Sequence, residues 1–214
     1  MDVSDRPATT ALRTRRRTDG VAAVAALAVL VLGMVAVRHG SVSAPERRIF
    51  HAINDLPGAL YPVLWPFQQL GVLIAGPIVA LVALAARKWC LALAAVLATV
   101  AKLLLERLVK AVVSRQRPAT SIGRDIHLRG NAPMSGESFV SGHAVLVTAL
   151  AMVIAPYVSR RWRVVLVVLV ALVCLTRVYV GAHNPLDVVC GAALGLAIGG
   201  MINLGIGVPP EVRR

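Results

Sequence analysis

Long apolar runs separated by short polar and basic stretches set the pattern of this chain. Six of them predict helices, over Gly20–Val37, Gly71–Ala86, Trp89–Val109, Ser141–Val158, Val164–Val180 and Pro185–Gly207. A bilayer hydrocarbon core about 30 Å thick is crossed by about 20 apolar helical residues, and most of these runs approach that length. Gly71–Ala86 is the short one; it draws on the segment before it or tilts little, and Pro77 is expected to kink it. Residues 38–70 mix polar and apolar positions around Pro45, Pro57, Pro62 and Pro66. Their aromatics Tyr61, Trp65 and Phe67 suit a short helix lying at the membrane interface. Lys110–Val140 reads as a polar loop, and Arg87–Lys88 and Ser159–Arg163 as tight basic turns. The expected fold is therefore all-α, a six-transmembrane helix bundle with an interfacial segment and a polar extracytoplasmic loop. Residues 1–19 form a disordered basic cytoplasmic tail in this reading, 20–207 the membrane domain and 208–214 a second cytoplasmic tail. The first apolar run exceeds a usual signal core and no clear small-residue cleavage site follows it, so a retained helix is expected.

Composition supports the membrane reading. Apolar residues make up 57% of the 214 and charged residues only 15%, and the charges are bunched rather than spread. The net charge of +13 raises the possibility of nucleic acid, but the basic residues cluster between apolar runs, where cytoplasmic loops collect them. There is no basic–aromatic alternation of the kind that stacks bases. The implied partner is the lipid bilayer, not nucleic acid. Six helices place both chain ends on one side, together with the turns at Arg87 and Arg160, and these compact flanks hold about half of the 23 basic residues. Both termini are therefore expected in the cytoplasm. Cys90, Cys174 and Cys190 all lie in apolar runs, and their number and placement fit neither a disulfide framework nor a metal motif. Gly191, Gly195 and Gly199 recur every fourth residue, which lets a neighbouring helix approach closely, within the bundle rather than across a dimer.

Ionisable residues inside a membrane chain are costly and mark function. Lys102 and Glu106 stand four apart in the third run, on one face that should point inward. Three further clusters fall at predicted helix ends on one membrane side. The first holds Lys110 and Arg117-Pro118, a movable point charge and a planar fork that can grip a phosphoryl group. The second is Ser141-Gly142-His143. Ser141 can cap the fourth helix, the first-turn amides form an anion site, and His143 stands where it could protonate a leaving oxygen. The third runs from Arg177 through His183 to Asp187, with Asn184 as a cap and Pro185 at the first helical position. A carboxylate there can take the proton of one imidazole nitrogen and leave the other free to attack phosphorus. Each cluster also has a plainer reading, as snorkelling cations or capping groups.

Together the clusters resemble the type-2 phosphatidic acid phosphatase superfamily, whose sites are related to those of vanadium haloperoxidases. That family's pattern is Lys-x6-Arg-Pro, Pro-Ser-Gly-His and Ser-Arg-x5-His-x3-Asp. Lys110…Arg117-Pro118 matches the first in full; Val140 and Thr176 stand where the family has proline and serine in the others. The resemblance implies His183 as nucleophile forming a phosphohistidine, Asp187 orienting it, and His143 as general acid. It implies Lys110, Arg117, Arg177, Ser141 and the Gly142 amide as the phosphate cradle. No metal and no cofactor is implied, since no carboxylate cluster suits magnesium and three cations can do its electrostatic work.

The expected activity is hydrolysis of a membrane lipid phosphate at the outer face, with a polyprenyl phosphate or diphosphate favoured and phosphatidic acid or phosphatidylglycerol phosphate as alternatives. A lipid phosphotransferase and a non-catalytic lipid-phosphate binder or transporter are the rival readings. Oligomeric state is left open by the sequence, and so is the Arg124–Arg129 segment, which either orders over substrate or stays mobile.

Overall fold

The computed structural model describes residues 13–210. Among them the chain is helical, and its only extended pairings are the isolated bridges Thr14–Val208 and Gln116–Glu137. Helix α1 covers Arg17–Val37. It begins before the expected Gly20, and the stretch ahead of it, expected as part of a disordered tail, is hydrogen-bonded. Thr14 and Val208 exchange backbone bonds of 2.9 and 2.8 Å. The Arg13 guanidinium donates to the carbonyls of Ile206 and Gly207, closing off the C-terminal turn of the last helix. The rest of the expected tails, residues 1–12 and 211–214, lies outside the described residues.

The interfacial segment forms two helices rather than one, α2 over Ala44–Asn54 and α3 over Tyr61–Gln68. Ser43 caps α2 by accepting from the Glu46 amide at 3.4 Å, and prolines sit at the opening positions of both helices, where a missing N–H costs nothing. Helix α4 over Ala75–Ala85 leaves the α3 segment at a 67° bend. The bend falls at residues 72–74 instead of at Pro77, because Pro77 lies in the first turn of α4 and has no intrahelical bond to break. Arg87, at φ 54°, turns the chain into α5 over Trp89–Val112. A single turn, α6, covers Pro118–Ser121, and α7 covers Gly142–Ile154. Helix α8 covers Arg160–Tyr179, so the basic residues 160–163 form its first turn rather than a loop. Helix α9 covers Pro185–Ile206.

Four helices, α1, α5, α8 and α9, are long and apolar enough to cross a membrane, and the bent α3–α4 pair makes a fifth if it counts as one span. The fourth expected span is the shorter apolar stretch Gly142–Tyr157, so four to five of the six expected spans qualify by length among the described residues. The reason is local: α7 is the most enclosed helix, with Ala144 to Leu150 buried without a break. Leu32, Leu104 and Val167 project from the outer faces of α1, α5 and α8. Exposed apolar side chains on face after face belong against lipid. The chain is an all-helical, multi-pass membrane protein.

The core seam runs between α7 and α9, with α1 and α5 packed beside it. A Cβ at Gly191 would lie 2.7 Å from the Ser141 carbonyl oxygen, and one at Gly195 would run into that of Val145. The glycine column therefore serves packing within the bundle, as expected. Leu146, Leu150, Leu194 and Ile198 fill the space around it. This contact brings the N-termini of α7 and α9 together: the Ser141 amide donates to the Asp187 carbonyl at 2.9 Å.

Candidate active site

The hairpin between α8 and α9 is built by one carbonyl. The Arg177 backbone oxygen accepts from the amides of Ala182 and His183, at 3.1 and 3.2 Å, and Gly181 supplies the left-handed residue, φ 78°, that the reversal needs. His183 is thereby held buried just before the α9 N-cap, Asn184. Its Nδ1 lies 3.0 Å from the Ser138 carbonyl oxygen. A carbonyl only accepts, so Nδ1 carries the proton and Nε2 is left with its lone pair. Burial pushes the His183 imidazole down to about 4, with Asp187 opposing and the Arg177 and Arg117 charges assisting, so it is neutral at physiological pH.

Asp187 reaches His183 less directly than the sequence suggests. Its Oδ2 is 3.8 Å from Nδ1, beyond hydrogen-bond range, because the Ser138 backbone carbonyl takes that proton. The carboxylate instead accepts from the Ser138 hydroxyl at 2.5 Å and from the Asn184 amide at 2.8 Å. The capping role and the orienting role foreseen as alternatives thus coexist in one side chain. On its other oxygen Asp187 accepts from Arg115 Nη1 at 2.8 Å. Arg115 is fully buried, and its Nη2 donates to Glu46 at 2.6 Å. The second Glu46 oxygen accepts from the Leu186 amide in the first turn of α9, at 2.9 Å. Burial works against the Arg115 charge, but these two carboxylates outweigh it and raise the guanidinium above its ordinary value.

The remaining cations surround the α7 N-terminus. Lys110 pairs with Glu106 at 2.7 Å, and Glu106 also pairs with Lys102 at 2.8 Å, confirming the inward face expected on α5. The Glu106 carboxylate lies against Gly142, where a Cβ would collide with it. Arg117 donates to the Ala182 carbonyl at 2.8 Å, and burial lowers its guanidinium from the ordinary value. Arg177 donates to the Gln68 side-chain oxygen at 2.9 Å. Ser141 occupies the N-cap position of α7 but makes no capping bond; its hydroxyl is buried without a partner. His143 lies within electrostatic reach of Arg177, His183, Lys102 and Arg117. The structure thus gathers all eight expected site residues, Lys110, Arg117, Ser141, Gly142, His143, Arg177, His183 and Asp187, at one end of the bundle.

Sequence reasoning passed over Arg115, Glu46, Gln68 and the part played by Ser138. For Glu46 the only signal was Ser43-x-x-Glu46, a capping-box pattern whose carboxylate is diverted to Arg115. A cavity of about 410 Å³, lined by Trp65, Gln68, Asn131, His143 and Arg177 among others, opens onto the site. Of the Arg124–Arg129 segment, left open between order and mobility, His127 and Arg129 are docked. Asn54 exchanges two 2.8 Å bonds with the His127 backbone, and Arg129 donates to the Asn54, Leu56 and Tyr179 carbonyls while covering the Tyr179 ring at 4.1 Å.

These features define a membrane-embedded helical bundle with a basic anion cradle and a neutral, tautomer-fixed histidine at one end. The profile described as the PAP2 superfamily matches residues 70–206, and the chain belongs to that superfamily. It is similar to a lipid A 1-phosphatase of Rhizobium johnstonii, 38% identical over 96 residues, covering 43% of this chain and 38% of the relative. It is also similar to an undecaprenyl-diphosphatase of Sulfolobus acidocaldarius, 32% identical over 120 residues, 56% of this chain and 57% of that one. The chain therefore spans less than two thirds of the length of these curated relatives. A crystal structure of Aquifex aeolicus LpxE superposes with a TM-score of 0.68 at 26% identity, covering 76% of this chain and 96% of that one.

Proposed function

We propose that this protein is an integral membrane lipid phosphatase that cleaves a phosphomonoester or diphosphate through a phosphohistidine. The observation that carries the proposal is the His183 tautomer: a buried, neutral imidazole whose Nδ1 proton is held by a carbonyl presents Nε2 as a nucleophile. Nε2 attacks phosphorus in line with the departing oxygen, and a P–N bond forms as the P–O bond breaks. His143, protonated while the anionic substrate offsets the cations around it, delivers its proton to that oxygen, so a monoester releases an alcohol and a diphosphate releases a lipid phosphate. Neutral His143 then takes a proton from water, whose oxygen attacks the phosphohistidine; the P–N bond breaks and inorganic phosphate is released. Lys110, Arg117 and Arg177, with the Ser141 hydroxyl and the Gly142 amide, hold the phosphoryl oxygens as charge spreads over them in the transition state. Asp187 balances the positive charge that His183 acquires. No step calls for a metal ion.

A polyprenyl phosphate or diphosphate is the favoured substrate. The undecaprenyl-diphosphatase alignment covers a larger share of both chains than the lipid A 1-phosphatase alignment does. The polar site lies at the end of the bundle, so the lipid tail would stay in the bilayer while its phosphate meets the cations at headgroup level. Both described chain ends meet at the opposite end of the bundle, where Thr14 bridges Val208, and with that end in the cytoplasm the site faces outside the cell.

The test is phosphate release in detergent micelles from polyprenyl diphosphate, polyprenyl phosphate, phosphatidate and phosphatidylglycerol phosphate, with His183→Ala as control. Turnover that vanishes in the variant and persists with a chelator supports the reading. Wild-type turnover by His183→Ala removes the covalent route, and phosphate appearing on a hydroxyl acceptor instead of in water makes the protein a phosphotransferase.

A further inference from the structure

A buried ionic chain runs behind His183. It begins at Glu46 on α2, passes through Arg115 in the loop after α5, and ends at Asp187 on α9. All three side chains are at most 5% exposed. Glu46 grips the same helical turn twice, through Arg115 and through the Leu186 amide. The Arg115 backbone is also engaged. Its amide donates to Glu137 at 2.9 Å and its carbonyl accepts from the Ser138 amide at 2.7 Å. Ser138 in turn bonds both His183, through its carbonyl, and Asp187, through its hydroxyl. Arg115 therefore meets the His183–Asp187 unit by two routes, one through its side chain and one through Ser138.

A buried ion triad is weak as a source of stability, since the desolvation of three charges offsets most of the attraction. What it supplies is geometry: a planar fork fixed by two carboxylates has one place to sit. We infer that Arg115 and Glu46 are positioning residues of the phosphoryl-transfer reaction, holding Asp187 and the Ser138 carbonyl so that the His183 ring stays aligned for attack. This inference rests on the reading of His183 as nucleophile. It assigns part of the catalytic rate to α2, a helix that contributes nothing to the phosphate cradle.

The test pairs Arg115→Met with Glu46→Met in one variant, which removes the fork and its outer carboxylate together and leaves Asp187 its bonds to Ser138 and Asn184. Steady-state phosphate release and the rate of phosphohistidine formation after rapid mixing are measured beside the thermal midpoint. Misalignment of a nucleophile is expected to lower kcat by about tenfold to a hundredfold, with KM within about twofold, at an unchanged fraction of sites able to form phosphohistidine. If the double variant does not fold, Glu46→Gln decides the matter: it keeps the side-chain volume and an oxygen for Leu186, and kcat should fall severalfold at constant KM. The inference is overturned if the folded variant turns over at the wild-type rate. It is equally overturned if activity drops only in step with the fraction of competent sites, which is what a purely structural role would give. His183→Ala run in parallel separates the two failures, because turnover there would remove the nucleophile reading itself, whatever Arg115 does.

Discussion

Two kinds of arginine stand within a few residues of each other at this end of the bundle. Arg115 gives its terminal nitrogens to two carboxylates, Glu46 and Asp187. Arg117 and Arg177 give theirs to neutral oxygens, the Ala182 carbonyl and the Gln68 amide. All three leave Nε without a partner, so the difference lies in the charge of what the fork touches. Arg115 is neutralised by the protein and belongs to the scaffold. Arg117 and Arg177 are oriented by hydrogen bonds to neutral groups and make no direct ion pair among the described residues, which suits an incoming anion. Proximity to the site in sequence or in space does not tell these roles apart; the partner does.

The comparison makes its largest prediction for single truncations. Arg115→Ala strands two buried carboxylates, and breaking a buried ion pair from one side costs about 3–5 kcal/mol, a large share of a total stability of about 5–15 kcal/mol, so the thermal midpoint should fall steeply. Arg177→Ala and Arg117→Ala break no direct ion pair. They should keep the thermal midpoint while kcat/KM falls about a hundredfold to a thousandfold, the usual loss for one donor to a developing oxyanion. Thermal unfolding in detergent together with phosphate release reads both quantities. An Arg177→Ala that unfolds, or an Arg115→Ala that melts like wild type, erases the distinction.

Of intermediate size is ligand stabilisation. Orthovanadate, a phosphate mimic, should inhibit and should raise unfolding stability by about 2.7 kcal/mol at a hundred times its Kd. The increment should disappear when Arg117 and Arg177 are both changed to alanine and should survive in Glu46→Gln. Loss of vanadate stabilisation in Glu46→Gln would place the scaffold arginine's network within the cradle itself.

The same distinction explains what could be read from the chain before folding. The apolar runs announce α1, α5, α8 and α9 because lipid asks only for length and hydropathy, both local properties. Gly191, Gly195 and Gly199 announce the seam because their spacing matches a helix face. The proposed cradle residues could be picked out because Lys110 and Arg117, or His183 and Asp187, sit at fixed short spacings within single stretches of chain. Arg115 and Glu46 were not, because neither shares a motif with its partner: Glu46 bonds the Leu186 amide across 140 residues, and its own surroundings in sequence advertise a helix cap. The length of α7 was overestimated for a related reason. Hydropathy counts apolar residues, while the helix stops at Ile154 and tightens into a 3-10 turn over Ala155–Tyr157. The route from Asp187 to His183 by way of Ser138 depends on a loop folding under the helix end, which no spacing encodes.

The smallest effect is also the cleanest probe of the cradle. The Ser141 hydroxyl is buried and unpartnered, a state that costs the folded protein rather than stabilising it. Removing it in Ser141→Ala takes away no bond within the protein, so the thermal midpoint should hold or rise slightly. A hydroxyl that donates to a phosphoryl oxygen contributes about 1–1.5 kcal/mol, so vanadate inhibition should weaken by roughly fivefold to tenfold. Stability and anion affinity would then move apart in a single side chain, as they should for a group kept for a ligand. If Ser141→Ala instead loses stability while vanadate affinity is unchanged, the hydroxyl belongs with Arg115 as scaffold, and the boundary between the two kinds of polar group must be redrawn around the α7 N-terminus.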